Sequence, residues 1–293
     1  MTNVVIGQTG LIGNSIYLKL KNKINFVPRN WEYTTLIKNL MELKIKDDLN
    51  IYWAAGQNNN NSNQLQINQE VELIKNFLNK LNDTSVKVNQ INYISSAGSI
   101  YAGNNEKFIN EDSPPSPVSI YGSSRLLIED MFENYCKAND IYLNIFRLSN
   151  VFGFRQRQKP SSGLINNLIM SNLNRIPLNI FVPLFVKQDY IDTNFVSSNI
   201  IGIAKDTNKN TKLKNTYILS RNQSHSIQEL LILIDRILIK KTPFVMQPDK
   251  NAKVRKANLI FSTHSNTLLR QKIEPIEFTI KKLILELIRA KVA

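Results

Sequence analysis

The 293-residue sequence contains a single cysteine, Cys136. An internal disulfide is therefore excluded, and a chain without cystines suits a reducing compartment. Histidine is nearly as scarce: His225 and His264 are isolated and lack partners at ligand spacing, so no metal centre is expected. There is no Gly-x-Ser-x-Gly elbow, which leaves hydrolase chemistry of that kind unsupported. Long apolar runs are missing too. The most apolar stretch, Leu230-Leu231-Ile232-Leu233-Ile234, meets Asp235-Arg236 well short of the roughly 20 residues that a bilayer span needs. No cationic, apolar leader precedes the first strand, and neither an internal repeat nor a flexible linker is found, so a cytoplasmic protein without membrane contact is expected.

Acidic residues are the under-used charge, with 23 Asp and Glu against 37 Lys and Arg, a formal balance of +14. Such a balance marks a nucleic-acid binder when the cations gather into blocks or patches. Here the lysines are scattered through nearly every helix and loop, which reads as a solvated basic surface and not as a nucleic-acid footprint. A mild positive field still favours anionic cofactors and substrates. Hydrophobic residues make up 42% and charged residues 20% of the chain, the profile of an ordinary globular protein with enough length to bury a substantial core.

What is present begins at the first strand. Asn3-Val4-Val5-Ile6 is a β-branched run that breaks into Gly7-Gln8-Thr9-Gly10-Leu11-Ile12-Gly13, and helical spacing follows from Asn14. At such a strand-to-helix turn the three glycines have separate tasks. Gly7 permits the sharp turn, Gly10 lets the backbone approach a pyrophosphate, and Gly13 lets the helix lie on the sheet. The anion then meets the free N–H groups of Gly10, Leu11 and Ile12 at the positive end of the helix dipole. Gly7, Thr9, Gly10, Leu11, Ile12 and Gly13 are thus candidate cofactor residues. Ile24 to Val27 reads as the second strand, with no carboxylate near its end to accept a ribose hydroxyl. Arg29 stands there instead and suits a 2′-phosphate, which favours NADP, with NAD the alternative.

Strands and helices then alternate. A helix is read from Thr34 to Leu43, and Leu49 to Trp53 is a strand ending in Ala54-Ala55-Gly56, whose small side chains leave room for a ligand. The polar run Gln57 to Asn63 reads as a solvated loop. A helix over Ile67 to Leu81, a strand over Ile91 to Ile94, a helix through Tyr121 and Tyr135 and a strand over Ile141 to Leu148 complete a parallel sheet with right-handed crossovers. Tyr121 and Arg125, four apart, share a helix face. Beyond Gly153 the rhythm changes. Helices are read over Gly163 to Leu173, Asn194 to Ala204, Ser226 to Ile239 and Ile276 to Ala290, with short strands at Leu178 to Val182 and Thr216 to Leu219. Ser226 is placed as an N-cap. The expected architecture is α/β: a Rossmann-type doubly wound parallel sheet over residues 1–155 and a smaller C-terminal α/β cap over 156–293, with parts of 187–219 returning to the core.

The glycine turn, Ala54-Ala55-Gly56, Ser95-Ser96 through Tyr101, Tyr121 to Arg125, Arg147 to Gly153, Asp189-Tyr190-Ile191 and Ser226 to Leu230 occur in one order along almost the whole chain. Together they resemble the extended short-chain dehydrogenase/reductase family, the NAD-dependent epimerase/dehydratase group that modifies nucleotide-linked sugars. The resemblance implies that Tyr121 exchanges a proton with a sugar oxygen, its phenol pulled toward neutrality by a cation one turn later. The family carries lysine there and this chain carries Arg125, which keeps the charge but cannot relay a proton. Four residues before Tyr101, where the family commonly has a serine or threonine to polarise the substrate oxygen, stands Ala97. Ser96 is taken as that hydroxyl, with Ser99 nearby. Gly98 and Ser99 occupy the place of the dehydratases' acidic pair, which disfavours a 4,6-dehydratase and leaves epimerisation or keto-sugar reduction. Asn150 and Lys187, with Gln188 beside it, match positions that meet the substrate's diphosphate and nucleotide. The implied partner is a nucleotide-diphosphate sugar, and a homodimer is compatible with the family. The competing expectation is a degenerate member that binds dinucleotide as a sensor or scaffold.

Overall fold

In a computed structural model, residues 1–28, 31–42, 48–56, 58–154, 163–207, 213–248, 258–264 and 272–292 are described. The first half runs β1 (Thr2–Ile6), α1 (Leu11–Lys19), β2 (Lys23–Ile24), α2 (Tyr33–Glu42), β3 (Leu49–Trp53), α3 (Gln64–Asn82), β4 (Val88–Ser96), α4 (Ala97–Ile100), α5 (Ile120–Ala138) and β5 (Tyr142–Leu148). After β6 (Asn150–Phe152) follow α6 (Leu164–Asn174), β7 (Leu178–Ile180), β8 (Lys187–Asp192), α7 (Thr193–Asp206), β9 (Lys214–Leu219), β10 (Ser224–Ser226), α8 (Ile227–Leu238), β11 (Phe244–Met246) and α9 (Ile276–Val292).

A parallel strand covered on both faces must be apolar on both, and successive side chains must go opposite ways. In β1, Val4 and Ile6 enter one core with α2, α3 and α5, while Val5 enters a second with α1 and α7. β3 divides likewise, Ile51 and Trp53 on the first side and Tyr52 on the second. The resulting six-stranded sheet has the order β2-β1-β3-β4-β5-β9, every pair parallel. The chain leaves β1 toward β2 on one side and returns to β3 on the other, so the strand order reverses between β1 and β3. In open α/β sheets ligands bind at the carboxyl ends of strands at that reversal. The second half adds a third core, in which Ile165, Leu168 and Ile169 of α6 meet Leu230 and Ile234 of α8 and Ile280 and Leu283 of α9. A small sheet ordered β10-β8-β6 and the β11-β7 pair complete it.

Several boundaries differ from the sequence reading, each for a local reason. β2 stops at Ile24 and does not run on to Val27. The amide of Gln8 takes over the hydrogen bonding there, accepting from Phe26 N at 3.0 Å and donating to Asn25 Oδ1. α3 begins at Gln64, ahead of Ile67, because Asn63 closes a capping box: its side chain accepts from Gln66 N at 2.9 Å, and Gln66 accepts from Asn63 N at 3.0 Å. β4 extends through Ser95 and Ser96, which pair in register with Arg147 and Leu148. The short helix α4 and the β10-β8-β6 sheet were not anticipated: α4, β6 and β10 are too short to carry a periodic pattern, and β8, six residues long, was not read as a strand.

The turn after β1 has no space for side chains. Gly7 has φ of +98°, and a Cβ on it would lie 2.6 Å from the backbone of Ala54 and Ala55; one on Gly13 would lie 2.1 Å from the Gly7 carbonyl oxygen. Gly7→Ala is expected to destabilise the protein by at least about 1–3 kcal/mol from backbone strain alone, read from urea denaturation midpoints. An unchanged midpoint would contradict the packing described.

Candidate active site

The carboxyl ends of β1, β3 and β4 bring together the glycine turn, Ala54-Ala55-Gly56 and the Ser95-Ser96 segment. α1 starts on Gly10 with no side-chain cap, but the Gly10 N–H, expected to be free, donates to the Gly7 carbonyl at 2.9 Å and closes the turn; the N–H groups offered to an anion are those of Leu11 and Ile12. Thr9, Leu11 and Ile12 lie at this helix entrance. Arg29 lies outside the described residues. The nearby wall is formed by Gly7, Gln8, Thr9, Phe26, Val27, Pro28 and Trp31 around a cavity of about 40 Å³.

α5 places Tyr121 and Arg125. Its N-cap is Ser119, which accepts from Gly122 N at 3.0 Å. Gly122 is needed because a Cβ there would lie 2.5 Å from the Ser99 carbonyl oxygen, so the first turn of α5 presses directly on α4. One turn on, the Arg125 guanidinium lies over the Tyr121 ring, 4.8 Å from its centroid. Arg125 is buried and pairs with Glu70 of α3, Nη2 to Oε2 at 2.8 Å. Asn58 Nδ2 donates to the same Glu70 oxygen at 2.5 Å.

The packing that creates this pair is regular. Trp53 of β3 makes edge contacts with Phe77 of α3 and Phe132 of α5, at 5.0 and 5.6 Å between centroids. Glu70 and Arg125 each sit seven residues, two turns, before those rings, on the same helix faces. Glu70 and Asn58 were missed by the sequence reading. The available signal was a carboxylate in the apolar stripe of Ile67, Ile74 and Phe77. The run read as a solvated loop contributes Asn58 to Glu70, Asn60 to the Ser119 hydroxyl and Asn63 to the α3 cap.

The electrostatics depart from the simple expectation of an activated phenol. Burial pushes the Tyr121 phenol above its ordinary value; Arg125 pulls it down and Glu70 pushes it up again. For Arg125, burial acts to lower its pKa, but Tyr93, Tyr121 and Glu70 more than offset it and leave the guanidinium raised and charged. The Nε of Arg125, Oε1 of Glu70 and the Tyr93 hydroxyl are buried without a hydrogen-bond partner.

The three serines have distinct surroundings. Ser95 is committed to Glu129 at 2.6 Å, within a buried network in which Arg147 also donates to Glu129 and to the Tyr101 hydroxyl. Ser99 is buried and donates to the Ser96 carbonyl at 3.4 Å. Ser96, the last residue of β4, is half-buried. Asn150 starts β6, donates to the Asp189 carbonyl at 3.0 Å, and lies 4.0 Å from where a Cβ on Gly98 would be. Lys187 starts β8 with its ammonium exposed, 3.7 Å from Glu229; Gln188 follows it.

A doubly wound sheet with a side-chain-free turn at its strand reversal, and a tyrosine and a cation one helical turn apart on α5, form an arrangement suited to a dinucleotide. The chain belongs to the NAD dependent epimerase/dehydratase family, which matches residues 4–194. A Methanocaldococcus jannaschii protein provisionally named UDP-glucose 4-epimerase is 34% identical over 92 residues, spanning 31% of this chain and only 30% of that one. The Bacillus subtilis uncharacterized UDP-glucose epimerase YtcB is 26% identical over 81% of this chain and 75% of its own. Among solved structures, UDP-glucose 4-epimerase of Thermotoga maritima with UDP-glucose superposes with a TM-score of 0.84 at 17% identity, covering 100% of both chains. The Thermus thermophilus UDP-glucose 4-epimerase complex with NAD gives 0.77 at 17% identity and 98% of each.

Proposed function

We propose that this chain is a cytoplasmic NAD(P)-dependent epimerase of a nucleotide-diphosphate sugar, inverting a ring carbon by oxidation and re-reduction. The observation that carries the reading is the Tyr121–Arg125 stack on α5, at the crevice that the glycine turn opens. Two features support a dinucleotide there: the turn excludes side chains at Gly7 and Gly13, and Arg125 has a buried donor without a partner. When bound, the nicotinamide ring supplies reversible hydride acceptance. Gly7 to Gly13 would hold the diphosphate, and Ala54-Ala55-Gly56 leave space at the β3 exit. Tyr121, as phenolate, takes the proton of a sugar hydroxyl as that carbon is oxidised, and returns it when the carbon is reduced. Ser96 donates a hydrogen bond to the same oxygen. Arg125 holds the phenolate form electrostatically and relays no proton. Asn150 and Lys187 meet the substrate's diphosphate and nucleotide. Gly98 and Ser99, standing where dehydratases have an acidic pair, support epimerisation over dehydration, and the UDP-sugar epimerases among the relatives support UDP as the nucleotide.

One observation favours a second reading, a dinucleotide-binding member that does not turn over sugar: burial and Glu70 both act against ionisation of Tyr121. Turnover decides between them. Interconversion of UDP-glucose and UDP-galactose, followed by proton NMR, is expected for the native chain, with Tyr121→Phe slower by at least roughly 10²-fold. An equally active Phe variant removes Tyr121 from the chemistry, and an inert native chain that binds NAD supports the sensor.

Among the described residues, the wall at the β2 end carries neither the carboxylate that selects NAD nor a cation for a 2′-phosphate. NADP acceptance in this reading therefore rests on Arg29. Arg29→Ala is expected to weaken NADP by about tenfold, one charge-assisted contact, and leave NAD unchanged in calorimetric titration. Equal effects on both cofactors would remove Arg29 from contact with the 2′-phosphate.

A further inference from the structure

Arginine is a poor one-for-one substitute for lysine beside a phenol. Its guanidinium is broad and planar and presents its donors in a rigid fork, so which edge meets the site depends on what grips the other edge. Here the grip comes from another helix. Glu70 Oε2 lies 2.8 Å from Arg125 Nη2, and Asn58 holds that carboxylate in turn. A Cβ on Gly56 would lie 3.2 Å from Glu70 Oε1 and 3.7 Å from Arg125 Nη1, which places the pair directly beneath the exit of β3. The Arg125 side chain is buried and that of Glu70 only 11% exposed, and a buried guanidinium without a counter-charge is strongly disfavoured. The ring of Tyr121 closes the other side of the guanidinium.

We infer that Glu70 is a positioning residue for the Tyr121 chemistry, and that Glu70 and Arg125 act as one clamped unit in the place of a single lysine. The inference rests on the epimerase reading for what Tyr121 does. Glu70 determines where the guanidinium stands against the ring and how much positive charge the phenol experiences. The charged and titratable groups around this phenol are Arg125 on its own helix and Glu70 on α3, with Tyr93 of β4 against Arg125 and Glu129 beyond it. Arg125 favours the phenolate and Glu70 disfavours it. If removing the carboxylate also displaces the guanidinium, the larger Arg125 effect is lost and phenol ionisation moves to higher pH; if Arg125 kept its place without Glu70, ionisation would move to lower pH.

The test uses Glu70→Gln, Arg125→Lys and their double variant in the full chain. Phenolate difference absorbance is titrated for each against the same protein carrying Tyr121→Phe, which needs no turnover. Glu70→Gln is expected to ionise Tyr121 at higher pH than the native chain and to shift the acid limb of its kcat profile the same way. Each single variant is expected to lose roughly 10- to 100-fold in kcat, the penalty of misplacing a group beside the reacting atoms. The double variant should lose less than the product of the two by at least roughly threefold, as interacting residues do. A phenol titration that is unmoved or falls to lower pH, together with multiplicative losses, overturns the inference. Glu70→Asp, which keeps the charge and withdraws it by one methylene, covers a Gln variant that fails to fold. Native-like titration with reduced kcat then supports the clamp, and native kcat overturns it. If the native chain turns over no sugar nucleotide, the epimerase reading falls while the titration still decides the role of Glu70.

Discussion

Backbone meets backbone where β1 ends. The Gly7 peptide passes so close to Ala54 and Ala55 that no Cβ fits, and Gly13 presses α1 onto the same turn. This contact joins the two strands at which the sheet order reverses. It thereby aims the entrance of α1 and the exit of β3 into one crevice, and everything assigned to the site lies along that line. A side chain at either glycine would separate the strands, tilt α1 and fill the space for a diphosphate in one step.

The second constraint is electrostatic. A cation beside a catalytic phenol is useful because burial strengthens its field, but burial also makes an unbalanced guanidinium costly. Glu70 resolves this by pairing across α3 and α5, whose alignment is set by Trp53, Phe77 and Phe132. The balance has a consequence for chemistry, since the phenol sees a cation and an anion together. The buried Glu129–Arg147 pair shows the same logic one turn further along α5, where it ties β5 to the helix and to Tyr101.

Much of the fold was legible because long parallel strands and amphipathic helices carry strong periodic signals. The glycine turn, the α5 helix and the N-cap at Ser226 follow from residue type and spacing alone. Elements of three or four residues, such as α4, β6 and β10, were not legible, since a period cannot be read over so few positions. β2 was overestimated because its apolar residues looked like strand, whereas Gln8 claims their hydrogen bonds. Glu70 escaped notice for a different reason. Its partner is remote in sequence, and only the packing of α3 on α5 shows that a carboxylate in an apolar stripe faces a guanidinium. Arg29, on which the cofactor preference was read, lies outside the described residues.

The account rests on a diphosphate lying against the uncapped start of α1. A crystal structure of the NAD complex tests this most directly. The account predicts the diphosphate within hydrogen-bond reach of the N–H groups of Leu11 and Ile12, and the nicotinamide ribose against Tyr121 and Arg125. A dinucleotide bound elsewhere, or a diphosphate out of reach of those N–H groups at saturating NAD, would contradict it.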